Sequence, residues 1–121
     1  MNWTTVLIAL AVLVVFYFLK QAGQISPKDA QTHLKNGALV VDVRSSAEFN
    51  SGHLPNAINH PVDQIESTLP RRIKDRNQYL LLHCQSGMRS GVAKKKLQGM
   101  GYANAFNLGS YGKAARVVNS K

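Results

Sequence analysis

Residues 80–90 read LLLHCQSGMRS and give the clearest indication of the fold. It opens on an apolar run, continues through a short loop that contains Cys84 and Gly87, and leads into a helical pattern over residues 90–98. An apolar run of this kind, followed directly by a loop and a helix, predicts a strand buried on both faces. Ligands of open parallel sheets bind beyond the carboxyl ends of the strands, so the loop is a candidate functional site.

Helical and strand patterns alternate on both sides of this stretch. Upstream, Ser26 and Pro27 are typical of a helix start, and the helix predicted there runs to residue 36. The other predicted elements are strands at 38–43, 57–59 and 103–108, a turn with a short helix at 44–51, and helices at 62–69 (ended by Pro70) and 111–118. The alternation predicts an α/β domain at residues 26–121, with three layers and a largely parallel central sheet.

The N-terminal segment is the most apolar part of the chain. Residues 3–19 read WTTVLIALAVLVVFYFL, without a charged side chain and with aromatic residues at both ends. A helix of this length rises about 25 Å, near the lower limit for spanning the hydrocarbon layer. A cleaved signal peptide, the alternative, would need a basic start and a small-residue cleavage site, and the sequence has neither. We therefore predict a transmembrane anchor helix at residues 1–20, followed by a linker at residues 21–25.

The charge distribution bears on orientation and on partners. There are 15 Lys and Arg against 6 Asp and Glu, a formal net charge of +9. The first basic residues (Lys20, Lys28 and Lys35) all follow the apolar segment, so the positive-inside rule predicts a single-pass membrane protein with a cytoplasmic domain. Zinc-finger spacing and a basic recognition helix are missing, so nucleic acid is not predicted as a partner. The basic cluster at residues 94–96 predicts a solvated helix face, with anionic phospholipid as the alternative contact.

The chain has one cysteine, Cys84, and four histidines. A single thiol forms no disulfide within the chain and no Cys-based metal cage, and the histidines lack the spacing of zinc ligands. The sequence therefore predicts no metal site and no cofactor. The role of the one thiol becomes the main functional question.

Cys84 stands where a thiolate would be stabilised. In a loop between a strand and a helix it would face backbone N–H groups and the positive end of the helix dipole, and both lower the pKa of a thiol. Arg89 adds a planar fork of donors suited to an oxyanion, Gly87 can take the positive φ that turns N–H groups inward, and Ser90 can cap the helix or donate to the sulfur. These features favour a nucleophile over the alternative, a buried structural thiol.

Two motifs resemble those of a known family. Residues 84–90 (CQSGMRS) are similar to the C-x-x-G-x-R-S active loop of rhodanese domains, and residues 42–59 are similar to their D-V-R-x-x-x-E-F-x-x-G-H-x-P-x-A-x-N signature. The resemblance covers about residues 24–118. It implies a sulfurtransferase in which Cys84 takes a sulfane sulfur from thiosulfate or a persulfide and passes it to cyanide, a small thiol or a sulfur-carrier protein. The resemblance also implies that the loop binds the persulfide through Gln85, Ser86, Gly87, Met88, Arg89 and Ser90.

The second motif is expected to support the site. Asp42 and Arg44 flank a strand end and Glu48 follows four residues later, so a charge-assisted bond among these side chains is predicted, with Asp42 as a possible participant in the chemistry. His53 is expected to tie its loop to the backbone. The chain departs from many relatives near its end, where Gly109 and Ser110 stand in place of two glycines.

Three other functions remain open from the sequence. Phosphatases and arsenate reductases of the same fold have five residues between the Cys and the Arg, whereas four separate Cys84 from Arg89 here. A membrane-tethered interaction module without catalysis is the second alternative, although such modules typically lose the cysteine. The third is a redox sensor whose thiolate is oxidised, for which the chain offers no second, resolving cysteine.

Overall fold

The structure is a computed structural model that describes residues 2–120, apart from the side chains of residues 20–22. Its helices and strands follow the predicted order. They are α1 (Trp3–Ala22), α2 (Pro27–Lys35), β1 (Leu39–Asp42), α3 (Ser46–Ser51), β2 (Ile58–Asn59), α4 (Ile65–Arg72), β3 (Leu80–His83), α5 (Met88–Gly99), β4 (Ala105–Gly109) and α6 (Tyr111–Asn119).

The four strands form one parallel sheet in the order β2-β1-β3-β4. Successive side chains of a strand point to opposite faces of the sheet. Accordingly, Leu80 and Leu82 pack in a cluster with residues of α4 and α5, whereas Leu81 packs in a second cluster with residues of α2 and α6. Helices therefore cover both faces, which confirms the predicted α/β architecture with a parallel central sheet.

Helix α4 differs from its prediction at both ends. It begins at Ile65 rather than near residue 62, and it continues through Pro70 to Arg72. The prediction that Pro70 ends the helix is wrong: the proline removes the hydrogen bond of its own N–H, but the helix continues past it to Arg72. The N–H of Ile73 donates to the carbonyl of Leu69 at 2.8 Å, and the fully buried side chains of Ile65 and Leu69 hold the helix on the sheet.

Most large hydrophobic side chains at residues 3–19 of helix α1 are exposed, with exposed fractions from 52% at Val14 to 76% at Trp3, whereas Val6 is partly buried. Within residues 2–120, no helix combines the length and the apolar character needed to cross a membrane. The predicted transmembrane helix at 1–20 is therefore not supported. The apolar run of residues 3–19 rises about 25 Å as a helix, less than the hydrocarbon thickness of about 30 Å. Met1 lies outside the described residues.

The predicted linker at residues 21–25 is also corrected. Helix α1 continues to Ala22, and the next residues join the domain. Gln24 forms a parallel bridge with Asn107 of β4, and the N–H of Ile25 donates to the carbonyl of Asn107 at 2.9 Å. The side chain of Ile25 packs against the cluster beneath α2 and α6. The segment therefore extends the sheet at its β4 edge.

Candidate active site

The loop between β3 and α5 lies at the carboxyl end of the sheet, as predicted. It is tied to the segment that follows β4, because the N–H of Cys84 donates to the carbonyl of Gly109 and the N–H of Tyr111 donates to the carbonyl of Gln85, both at 3.2 Å. Ser86 and Ser110 form an isolated antiparallel bridge between the same two segments. The conformation of the loop is therefore fixed from outside as well as by its own sequence.

The sulfur of Cys84 points into the loop. The N–H of Gly87 donates to Sγ at 3.0 Å, and the hydroxyl oxygen of Ser90 lies 3.6 Å from it. Burial is the largest single influence and raises the pKa of this thiol. The hydrogen bonds from the side chain and backbone of Ser90 and from the backbone of Gly87 and Ser86 outweigh it, so the pKa lies below its ordinary value. The geometry therefore favours an anionic sulfur.

Cys84 has no exposed surface, and its side chain belongs to the core cluster beneath α4 and α5. Burial alone is common for structural thiols. Here, however, the N–H of Gly87 donates to the sulfur and the hydroxyl oxygen of Ser90 lies 3.6 Å from it, and a structural thiol requires neither contact. A donor molecule can reach Sγ only when groups around the loop move aside.

Gly87 supplies the turn on which this arrangement depends. It is the N-cap residue of α5 with φ 97° and ψ −5°, the left-handed conformation that the sequence predicted. A Cβ at this position would lie 3.0 Å from Nε2 of Gln24 and 3.3 Å from the backbone of Gly109. Any larger residue is therefore disfavoured both by backbone conformation and by space.

Arg89 is held by a carboxylate, a contact that the sequence analysis did not predict. Its Nη1 and Nη2 donate to Oε1 and Oε2 of Glu48 at 2.7 and 3.1 Å. Glu48 is placed by a capping box with Ser45 at the start of α3. The hydrogen bond from Arg89, followed by that from the backbone of Ser45, lowers the pKa of Glu48 to about 2. The predicted bond of Glu48 to Arg44 or Asp42 is wrong; Glu48 links α3 to the active loop instead.

Asp42 and Arg44 form a separate, buried ion pair, as predicted for these two residues. Arg44 donates to both carboxylate oxygens of Asp42, at 2.8 Å from Nη2 to Oδ2, and its Nη2 also donates to the carbonyl of Gly52 at 2.7 Å. Its guanidinium lies over the ring of Tyr111, 4.8 Å from the centroid. The pair thereby joins the end of β1 to α3 and α6, which is a stabilising role.

The other predicted residues are of two kinds: some are exposed on the loop between β3 and α5, and His53 stabilises a neighbouring loop. Gln85, Ser86 and Met88 are exposed at the mouth of the loop. Nδ1 of His53 lies 2.9 Å from the carbonyl oxygen of Phe49, which confirms that His53 ties its loop to the backbone. Of the residues predicted to bind the persulfide, Gly87, Ser90 and the backbone of Ser86 therefore contact the sulfur, whereas the side chains of Gln85 and Met88 are exposed.

Two residues at the site were missed by the sequence analysis. Asn107, in β4, is 5% exposed and contacts Ser90 and the backbone of Gly87. Gln24 lies across Gly87 and Gly109. A polar residue inside the apolar pattern of a strand is a signal that could have found Asn107, since buried polar groups require partners. Nothing in the local sequence distinguishes Gln24 from a linker residue.

Comparison with known proteins agrees with this geometry. The family model described as Rhodanese-like domain matches residues 26–113. Thiosulfate sulfurtransferase PspE of Escherichia coli K12 is 32% identical over 69 residues, covering 57% of this chain and 66% of PspE. Adenylyltransferase and sulfurtransferase UBA4 of Candida albicans is 38% identical over 109 residues, covering 81% of this chain and 24% of UBA4. The match therefore spans less than two thirds of the length of either relative.

Solved structures of sulfurtransferases and rhodaneses also resemble this chain in fold. The human single-domain sulfurtransferase TSTD1 superimposes with a TM-score of 0.66 at 29% identity, covering 76% of this chain and 94% of that structure. An E. coli rhodanese with bound anions superimposes with a TM-score of 0.61 at 28% identity, covering 64% and 91%. Since the family model covers most of the chain and the fold agrees, the chain belongs to the rhodanese-like domain family.

Proposed function

We propose that this protein is a sulfurtransferase that carries sulfur as a persulfide on Cys84. One observation carries the proposal: the N–H of Gly87 and the hydroxyl of Ser90 both contact Sγ of Cys84, and the same segment also contains Arg89. The relative PspE is named a thiosulfate sulfurtransferase, which agrees with this chemistry.

The reaction has two displacement steps. The Cys84 thiolate attacks the outer sulfur of thiosulfate; a new S–S bond forms, the donor S–S bond breaks, and sulfite leaves with the electron pair. A thiolate or cyanide acceptor then attacks the outer sulfur of the persulfide, and the Cys84 thiolate leaves in turn. Backbone N–H donors of the loop stabilise the negative sulfur in both steps, and the free N–H groups of Arg89 orient the anionic donor. A small thiol and a sulfur-carrier protein are both acceptors of the required chemistry.

Detection of a persulfide on Cys84 tests the proposal. The full chain is incubated with thiosulfate and analysed by intact mass, and we expect a gain of one sulfur atom that cyanide removes as thiocyanate. The Cys84→Ser variant should gain nothing while its melting temperature stays close to that of the wild type. No sulfur on the wild-type chain, with thiosulfate or with glutathione persulfide, would contradict the proposal and favour an interaction module. Aryl phosphate hydrolysis that disappears in Cys84→Ser would favour a phosphatase.

For location we propose that α1 attaches the domain to a membrane, with the domain on the cytoplasmic side. The support is that residues 3–19 of α1 carry apolar side chains around the whole circumference of the helix and that most of these are exposed, an arrangement that is unfavourable in water. The basic cluster at residues 94–96 of α5 contributes little to contact with anionic phospholipid, because two of its lysines already have partners within the chain. Lys94 donates to the carbonyl of Gly23 at 3.3 Å, and Lys96 lies 3.5 Å from a carboxylate oxygen of Glu66. That leaves Lys95 as the exposed basic residue of the 94–96 cluster.

Cell fractionation tests this attachment. The full chain should remain with the membrane pellet after alkaline extraction, and a chain that begins at Gly23 should be in the supernatant. Protease added to the outside of intact cells should leave the domain uncut if it lies on the cytoplasmic side, and should digest it if it lies on the outer side. Release of the full chain by alkali would refute the attachment.

A further inference from the structure

Asn107 has a side-chain orientation that its neighbours fix. Its Oδ1 accepts a hydrogen bond from the N–H of Gly109 at 2.9 Å, and its Nδ2 donates to the carbonyl of Gly87 at 3.1 Å. A carboxamide turned by half a rotation would place its NH₂ against the N–H of Gly109 and its oxygen against the carbonyl of Gly87. Both contacts would then be repulsive, so Oδ1 faces Gly109 and also faces Ser90.

Ser90 lies between this oxygen and the sulfur. Its Oγ is 2.7 Å from Oδ1 of Asn107 and 3.6 Å from Sγ of Cys84. All three groups are buried. A hydroxyl has one proton, and Oδ1 can only accept, so the short contact requires that Ser90 donates to Asn107. In that state the lone pairs of the hydroxyl face Sγ, which suits a thiol that donates its own proton.

A negatively charged sulfur needs the opposite arrangement. A thiolate or persulfide has no proton to give, and lone pairs facing it are repulsive. The hydroxyl of Ser90 must then turn its proton to the sulfur and leave Asn107. Oδ1 of Asn107 keeps the N–H of Gly109 as a partner after this rotation, so the buried oxygen is not left unsatisfied.

We propose that Asn107 is a positioning residue for sulfur transfer, which holds the hydroxyl proton of Ser90 while Cys84 is a thiol and yields it to the sulfur when the anion forms. Asn107 thus competes with the sulfur for one proton. Through its bond to the carbonyl of Gly87 it also holds the residue whose N–H donates to Sγ. The inference rests on the proposed function only in taking Cys84 as the reacting group.

The ionisation of Cys84 tests this competition directly, because the chain has no other thiol. Thiolate ultraviolet absorbance is followed against pH in the full chain, with no sulfur donor present. In Asn107→Ala the proton of Ser90 is free for the sulfur, so we expect the midpoint to fall by about half to one pH unit, the value of one modest hydrogen bond. In the Ser90→Ala background the same change removes only the bond to the carbonyl of Gly87, so the midpoint should not fall there.

Asn107→Asp gives a second test, in which the pH midpoint of thiolate absorbance is expected to move in the opposite direction. This test can be used if Asn107→Ala fails to fold. A carboxylate keeps the acceptor toward Gly109 and holds the hydroxyl proton of Ser90 more tightly, while its second oxygen replaces the NH₂ that faced the carbonyl of Gly87. Its negative charge disfavours a thiolate in both backgrounds, so the midpoint should rise in both, and by less in the Ser90→Ala background where the hydroxyl is missing. Equal shifts with and without the hydroxyl, or a rise in Asn107→Ala, would overturn the proposal. Since the titration needs no donor, a failure of sulfur transfer would leave these outcomes readable.

Discussion

Arg89 reaches the active loop already paired, and this changes what it can offer to a donor. One N–H from each terminal nitrogen is engaged by Glu48, so an anion can be bound only through the remaining N–H groups. The pairing also fixes the plane of the guanidinium. In the proposed function, donor binding therefore depends on the fork geometry of arginine and not on its charge alone.

Replacement of Arg89 by Lys should lower kcat/KM for thiosulfate by about tenfold, because a lysine lacks the planar fork that pairs with both oxygens of Glu48, and so a charged hydrogen bond of about 1.5 kcal/mol is lost. Steady-state thiocyanate formation measures the change. Arg71→Lys, at an exposed position of α4, is the matched control and should be unchanged. Equal rates for wild type and Arg89→Lys would exclude the role of the fork.

Glu48 makes a pH-dependent contribution to stability. Its pKa is lowered from an ordinary value of 4.5 to about 2 in the folded chain, so the unfolded chain binds the proton first as the pH falls. The stabilisation is present above pH 4.5 and is lost as the pH falls toward 2. We expect the difference in free energy of unfolding between wild type and Glu48→Gln to shrink over that window in urea titrations. A difference that stays constant from pH 6 to pH 3 would contradict this assignment.

At the scale of elements, apolar runs predicted the strands and the parallel sheet, because burial on both faces leaves a direct trace in the sequence. The pairing of Glu48 with Arg89 could not be predicted in this way. Glu48 is near Arg44 in sequence, but its partner lies 41 residues away, and the choice depends on how α3 packs beside the loop. The segment at Gln24 was missed for the same reason, since its partner in β4 is remote in sequence.

Gly109 is constrained by the segment that precedes α2. Its φ is 102°, and a Cβ there would lie 2.5 Å from Oε1 of Gln24. We expect Gly109→Ala to destabilise the fold by about 1–3 kcal/mol and to slow sulfur transfer, because the carbonyl of Gly109 accepts from the N–H of Cys84.

Gly99→Ala is the control for this substitution. Gly99 is the last residue of α5, and a Cβ there meets nothing within 4 Å. Urea unfolding should show the control to be neutral or up to about 1 kcal/mol more stable. Equal stability of the two variants would show that the contact with Gln24 imposes no constraint.

At the scale of the whole molecule, α1 and the domain differ in what they contribute to stability. Most large hydrophobic side chains at residues 3–19 are exposed. By contrast, Gln24 and Ile25 are bonded to β4 and to Lys113, which donates to the carbonyl of Ile25 and, at 3.2 Å, to Oε1 of Gln24. The folded unit therefore begins between α1 and Gln24.

Two truncated chains test this boundary. A chain that begins at Gly23 should melt at the temperature of the full chain. A chain that begins at Ser26 loses about 2 kcal/mol of hydrogen bonding and packing and should melt about 10 °C lower. Equal melting temperatures for the two, measured by circular dichroism, would mean that residues 24 and 25 contribute nothing to the fold.

The short distance along the chain from α1 to Gln24 has a mechanical consequence. Gln24 follows the last residue of α1 by two positions and rests against Gly87 and Gly109, which shape the loop around the sulfur. A force applied along α1 would therefore pull on the backbone of the reactive loop almost without slack. Anything that holds the first helix is therefore coupled through a short segment to the loop that encloses the sulfur of Cys84.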